Sequence, residues 1–334
     1  MDELDRINKL IAAKSNVLIT SHVRLDGDAV GSELALAEGL RQLGKQAHIV
    51  NDGPVPGLYV FLNGREDIGA SARNLRRDYD LVIVLDSSDL ERLGGIRDEL
   101  PKDAPVVNID HHTSNDGFGD VAWVDTHASS VGEMIYRLLR RLGVEITIDI
   151  ALSLYTAIAT DTGRFLHSNT SPEALTITAE LLGRGLDLTK ANNALYRCTP
   201  LNLLKLRMLA EQTVALHAGG KIATMRITKQ MFDATGTSPL DTQEIIEIPR
   251  SIEGVSVAVL LYDLEKPNQV KASLRSNEDV DVCAVAKQFG GGGHLRAAGC
   301  EIDLPLEEAE RRVIQAVEAA LCPFCRADAT QEQR

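Results

Sequence analysis

The sequence predicts an α/β protein of two domains. The first is an N-terminal, mostly parallel, doubly wound sheet; the second is a smaller C-terminal α/β domain with a mixed sheet. Three observations predict this. Short β-branched runs alternate with helical patterns in the first half, as parallel strands joined by crossovers do. The chain has 334 residues, long for a single core. Around Leu186–Thr213 the pattern changes, and a hairpin-like segment follows.

The candidate strands of the first half are Val17–Thr20, Ala47–Asn51, Leu81–Asp86 and Val106–Asp110. Ala29–Leu43 has apolar residues at helical spacing (Val30, Leu34, Leu36, Leu40, Leu43), with Gly44 as a stop. Ser130–Leu142 and Ile150–Thr160 read as two further helices, and Leu201–Val214 as a helix behind Pro200. Thr213–His217 and Lys221–Ile227 flank Ala218-Gly219-Gly220, a hairpin turn. Val255–Tyr262 and Val270–Arg275 supply two more strands, Asp281–Phe289 a short helix and Leu306–Leu321 a closing amphipathic helix. The expected division is 1–187 for the first domain, 188–213 for a linker helix region and 214–325 for the second domain. The polar residues 326–334 are expected to form a disordered tail.

Composition narrows the function. Hydrophobic residues make up 44% and charged residues 25%, ordinary for a globular protein. The net charge of −13 leaves no overall basic footprint for long nucleic acid, although a short phosphorylated ligand needs only a local basic cleft. The acidic N-terminus does not read as a signal peptide, and no apolar run approaches bilayer length, so cytoplasm is the expected location. Five scattered cysteines argue against a disulfide framework. Cys322-Pro323-Phe324-Cys325 lacks the second pair of ligands that a structural zinc site requires, and reads as reduced thiols at a helix end.

The chemistry concentrates at strand ends, where open α/β sheets bind ligands. Asp110-His111-His112 closes the fourth strand-like run, and His22, Asp26 and Asp28 follow the first with H-x3-D-x-D spacing. Gly27 is expected to allow a tight backbone path there. Asp26 and Asp28 lie two apart, so in an extended segment they point the same way and require a compensating cation. Asp86 ends a third strand; alone it would be read as a helix N-cap. Asp161 follows an apolar helix, where a carboxylate opposes the helix dipole and calls for a cation. Together, two histidines and four aspartates at the ends of apolar elements predict a dinuclear metal site.

These segments resemble the motifs of the DHH-family phosphoesterases. The family's four N-terminal motifs occur in order as Ser21–Ser32, Val84–Asp89, Ile109–His112 and Ala159–Arg164. Ser273-Leu274-Arg275-Ser276 and Phe289-Gly290-Gly291-Gly292-Gly293-His294 resemble the DHH-associated C-terminal domain. Leu25 stands where relatives commonly carry Pro, which removes no ligand. The resemblance implies that His22 and Asp26 hold one metal, that Asp28, His111 and Asp161 hold a second, and that Asp86 bridges both. It implies Mn²⁺, with Mg²⁺ ranked second.

By the same resemblance, a metal-bridged hydroxide attacks phosphorus in line. Asp110 orients its neighbours, and His112 meets the scissile phosphate and protonates the leaving oxygen. Arg275, Ser276, Gly292, Gly293, His294 and Arg296 are expected to bind substrate phosphate, with Gly290–Gly293 offering backbone N–H groups at a bend. The active site is expected in a cleft between the domains. The compact two-domain form is similar to family members that degrade very short RNA and dephosphorylate 3′-phosphoadenosine 5′-phosphate. Cyclic-di-AMP or linear dinucleotide hydrolysis stays open. Pyrophosphatase activity and a non-catalytic nucleotide-binding regulator rank lower, and the resemblance is compatible with a homodimer.

Overall fold

The computed structural model describes residues 2–242, 245–277 and 280–328, with the backbone alone for His294 and residues 322–328. It divides into two compact units, Met1–Cys198 and Thr199–Arg334. Within the described residues, no helix is long and apolar enough to cross a membrane.

The first unit runs α1 (Glu3–Ala13), β1 (Asn16–Thr20), α2 (Gly27–Gln42), β2 (Gln46–Ile49), β3 (Leu81–Leu85), β4 (Val106–Asp110) and β5 (Val121–Val124). It continues through α3 (Val131–Arg141), α4 (Ile148–Asp161), α5 (Pro172–Gly183) and α6 (Leu188–Tyr196). The five strands are all parallel, in the order β2-β1-β3-β4-β5. Chain order reverses between β1 and β3, and a doubly wound sheet with this order opens a ligand crevice at that point.

Period-two alternation sorts the strand side chains. Val17, Ile19, Ile83, Val107 and Ile109 join the helices in the main core, while Leu18, Val82 and Val84 join Leu93 and Ile96 on the opposite face. That second face is covered by the 3₁₀ segment Leu90–Glu99 and loops.

Three glycines let the helices approach closely. A Cβ on Gly27 would lie 2.3 Å from Thr160 Oγ1, one on Gly31 2.4 Å from the Ser153 carbonyl, and one on Gly132 2.4 Å from Ala157 Cβ. Gly27 is therefore required by packing against α4, and the expected turn role is corrected: it is the first residue of α2 and has no left-handed backbone. The consequence is spatial. The carboxyl end of α4 is brought to the amino ends of α2 and α3.

The second unit contains α7 (Leu201–Glu211), β6 (Ala215–His217), β7 (Ile222–Ile227), α8 (Lys229–Thr235), α9 (Glu247–Arg250), β8 (Val257–Asp263) and β9 (Val270–Ser276). It closes with α10 (Val282–Lys287), β10 (Gly292–His294), β11 (Ala297–Ile302) and α11 (Leu306–Asp328). Its six-stranded sheet has the order β10-β11-β9-β8-β7-β6 and is mixed, because β7 and β8 pair in parallel and the other neighbours are antiparallel. Val257, Val259 and Leu261 point to the side of α10 and α11, and Ala258 and Leu260 to the side of α7. Residues 188–213 do not form a separate linker. Ala191 and Leu195 of α6 belong to the first core, whereas Leu206 and Ala210 of α7 pack on the second sheet. The expected tail largely lies outside the described residues (329–334), as do the side chains of Cys322 and Cys325.

Candidate metal centre

The first unit brings six side chains of the expected ligand set together at the carboxyl edge of its sheet. His22 leaves β1, Asp86 leaves β3 and His111 leaves β4, while Asp26 and Asp28 start α2 and Asp161 ends α4. Potential ligand atoms of His22, Asp26 and Asp86 lie within 4.8 Å of one another, and so do those of Asp28, His111 and Asp161, and of Asp86, His111 and His112. The extended Asp26–Asp28 arrangement expected from spacing is corrected. Asp26 is the N-cap of α2, accepting the Ala29 N–H at 3.0 Å, and Asp28 lies in the first turn. The helix turn points the two carboxylates into different groups.

Each histidine is held by one nitrogen and presents the other. His22 Nδ1 lies 2.7 Å from the Val23 carbonyl, which can only accept, so this nitrogen carries the proton. Nε2 then lies 3.2 Å from Asp86 Oδ2 and 3.8 Å from Asp26 Oδ2. His111 repeats the arrangement: Nδ1 faces the Ala128 carbonyl at 3.2 Å. Its Nε2 lies 3.6 Å from Asp161 Oδ2, 3.7 Å from Asp86 Oδ1 and 4.0 Å from Asp28 Oδ2. Ligands bound at about 2.1 Å in an octahedral shell sit about 3 Å apart. These spacings thus suit atoms sharing a cation better than atoms sharing hydrogen bonds.

Asp86 stands between the groups. It has φ of +53°, a left-handed backbone that a non-glycine residue adopts at a cost and that aspartate tolerates better than most. Its Oδ2 faces His22 while Oδ1 faces His111, and Oδ1 is buried with no hydrogen-bond partner. A buried orphan oxygen, 3.7 Å from His111 Nε2 and 3.5 Å from His112 Nδ1, is what a cation would satisfy. Burial, then the charges of Asp28 and Asp26, push the Asp86 pKa well above the ordinary carboxylate range. Burial and the Asp28 charge push Asp161 to about 8, and burial raises Asp28 despite opposing pull from His111. Burial lowers the His111 pKa, but the carboxylates Asp161, Asp28 and Asp86 outweigh it and raise the group to about 9. Without a cation, the buried carboxyls of Asp28, Asp86 and Asp161 resist ionising together, and the donor set fits divalent metal.

Further partners aim the ligands, and sequence reading missed them. Asp28 accepts the Val131 N–H at 2.6 Å and the Gly132 N–H at 2.9 Å, at the amino end of α3, and the Ser32 hydroxyl at 3.0 Å. Asn169 donates to Asp161 Oδ2 at 3.3 Å and to the Ser129 carbonyl at 2.9 Å. Asn115 donates to Asp110 Oδ2 at 2.6 Å. Asp110 is fully buried and accepts His112 Nδ1–H at 2.7 Å. Burial raises its pKa, but the His112 hydrogen bond and charge prevail and hold the carboxyl below its ordinary range. Asn115 and Asn169 lie within eight residues of motif residues, yet asparagine in a loop is common and nothing in the spacing singles them out.

The other expected residues lie in the second unit. Arg275 and Ser276 end β9, Arg296 lies in the β10–β11 turn, and the side chain of His294 is outside the described structure. Burial lowers the Arg275 pKa, its guanidinium donates to the Leu274 carbonyl at 3.1 Å, and no carboxylate among the described residues lies within 4 Å. The glycine run departs from the expected bend. Gly290 and Gly291 donate their N–H groups to the carbonyls of Lys287 and Ala286, so neither is left for an anion. Gly292 and Gly293 belong to edge strand β10, where a Cβ on Gly293 would lie 2.4 Å from the Ala297 carbonyl. Close pairing with β11 requires that glycine, and the outer edge of β10 carries what the run can still offer a ligand.

Residues 16–158 match the model of the DHH family, N-terminal domain, and residues 219–321 match that of the DHHA1 domain. The chain is 37% identical over 313 residues to a Thermus thermophilus protein, covering 93% of this chain and 92% of the other. It is 33% identical to a Bacillus subtilis protein, covering 91% and 94%. Both relatives bear the name bifunctional oligoribonuclease and PAP phosphatase NrnA. A crystal structure of an exopolyphosphatase-related protein from Bacteroides fragilis superposes with a TM-score of 0.91 and 28% identity, covering 97% of each chain.

Proposed function

The chain belongs to the DHH family, and from that premise we propose that it is a metal-dependent phosphoesterase. It hydrolyses very short RNA to mononucleotides and 3′-phosphoadenosine 5′-phosphate to AMP. The observation that carries this reading is Asp86, whose two oxygens face two separate histidine-carboxylate groups, one of them buried without a partner. In the proposed assignment, His22 and Asp26 hold one cation, Asp28, His111 and Asp161 a second, and Asp86 both. Mn²⁺ is preferred over Mg²⁺, since mixed imidazole and carboxylate donors suit it. Two divalent cations held there supply the charge that neutralises phosphate oxygens and the Lewis acidity that hydrolysis needs.

The protein's own groups do the rest. Asp110, braced by Asn115, fixes the His112 ring through Nδ1, and His112 Nε2 hands a proton to the leaving oxygen. Arg275 is proposed to bind substrate phosphate, with Ser276, Gly292, Gly293, His294 and Arg296 beside it; a part-buried arginine with no carboxylate within 4 Å among the described residues is suited to an anion. A homodimer is included in the reading, and light scattering of the full chain tests it.

The test is a substrate panel at fixed Mn²⁺: diribonucleotide, 3′-phosphoadenosine 5′-phosphate, cyclic-di-AMP and pyrophosphate. Turnover of the first two, abolished by chelator, is expected. Turnover confined to cyclic-di-AMP or pyrophosphate would redirect the substrate assignment, and no turnover on any would sink the enzyme reading. Arg275→Ala is expected to raise KM by about tenfold or more, the loss of one charge-assisted phosphate contact. An unchanged KM would remove Arg275 from the binding set.

A further inference from the structure

Behind the metal-facing residues lies a buried polar chain that the roles above leave unused. Glu33 and Asn51 are both fully buried. Asn51 follows β2, and its Oδ1 accepts the Ser21 N–H at 2.8 Å, with the Thr20 hydroxyl at 3.4 Å. A backbone N–H can only donate, which sets the orientation of the Asn51 amide and turns Nδ2 toward Glu33 Oε2 at 2.9 Å. Ser21 in turn donates its hydroxyl to the Leu85 carbonyl at 2.8 Å. Ser21 precedes His22, Leu85 precedes Asp86, and Glu33 lies on α2, which also carries Asp28. One chain of hydrogen bonds therefore ties together β2, β1, β3 and α2 at the level where the ligands emerge.

Stability alone does not account for this arrangement. Burying a carboxyl group and an amide costs desolvation that an apolar pair of similar volume avoids, and Glu33 Oε1 is buried without a hydrogen-bond partner. We propose that Asn51, seated against Glu33, is a positioning residue for the metal centre. It sets the direction in which the backbone leaves β1, and thereby holds His22 Nε2 at 3.2 Å from Asp86. The role rests on the reading of that centre as a divalent-cation site.

The experiment measures Mn²⁺ binding to the full chain by the paramagnetic resonance signal of free Mn²⁺, alongside thermal unfolding of the metal-free protein. Asn51→Leu keeps the volume and removes the acceptor for Ser21. It is expected to weaken Mn²⁺ binding about 10–100-fold, the loss that follows removal of groups supporting ligands. Asn51→Asp keeps that acceptor and is expected to bind within a few-fold of wild type. The double variant Glu33→Met, Asn51→Leu replaces the pair with an apolar one and carries the same test if the single leucine variant does not fold. Wild-type affinity in a folded leucine or double variant would overturn the positioning role, and so would an aspartate variant as weak as the leucine one. Absence of Mn²⁺ binding to wild type would instead overthrow the metal-centre reading beneath it.

Discussion

Asp86 concentrates what is unusual about this chain: a left-handed aspartate, buried, with an unpaired oxygen between two histidine-carboxylate groups. Its conservative replacement separates stability from function. Asp86→Asn keeps the shape but removes a charge that burial and neighbouring carboxylates disfavour. The metal-free variant is expected to melt a few degrees higher, while turnover falls on the order of 10³-fold or more. Lower melting together with intact turnover would contradict both halves. Glu33 carries a separate pH signature. Burial, against the Asn51 hydrogen bond and the His22 charge, raises its pKa from 4.5 to about 8. A pKa raised on folding contributes stability that is full below about 4.5 and is lost as pH rises through about 8. Chemical denaturation of metal-free protein should therefore show stability falling across this window, by one to a few kcal/mol from this group. Glu33→Gln, neutral throughout, should flatten that component, and an unchanged slope would show that Glu33 ionises freely.

Helix α4 illustrates how an element, not a residue, assembles the site. Its contact with α2 and α3 is close because Gly27, Gly31 and Gly132 leave no side chain in the way, and this carries Asp161 to within reach of His111. Gly31→Leu would push into the backbone at Ser153. It is expected to cost about 1–3 kcal/mol by overpacking and to weaken Mn²⁺ binding, read by denaturation and by titration. Full stability with unaltered binding would show that α4 can shift without consequence. The glycines of Asp26-Gly27-Asp28 and Gly290–Gly293 were visible as residues but not as packing requirements. A side chain on Gly27 would meet Thr160, more than a hundred residues away, and side chains on Gly291 and Gly293 would meet the paired strand β11.

Across the molecule, binding that occurs only in the folded state must raise its stability. At Mn²⁺ about 100-fold above Kd the gain is about 2.7 kcal/mol, which for a unit of this size shifts the melting midpoint by about 5–10 °C. Chelator should reverse the shift, and a midpoint indifferent to Mn²⁺ would count against a metal centre built from folded elements.

Strand positions along the chain, the alternation of core faces and the ligand residue types were legible because they depend on local periodicity and on residues placed at strand ends. His22, Asp86, Asp110 and His111 announce themselves by following β-branched runs. The sequence by itself determined that this chain carries a parallel sheet edged with histidine and aspartate, since both periodicity and ligand chemistry reside in residue identity. Only the tertiary structure decided how Asp26 and Asp28 part into different groups, why Gly27 is glycine, and which amides of the glycine run are already bonded. It also revealed Asn51, Asn115 and Asn169 as partners. Hydrogen bonds and close contacts between distant segments are set by packing, and a linear spacing holds no record of them.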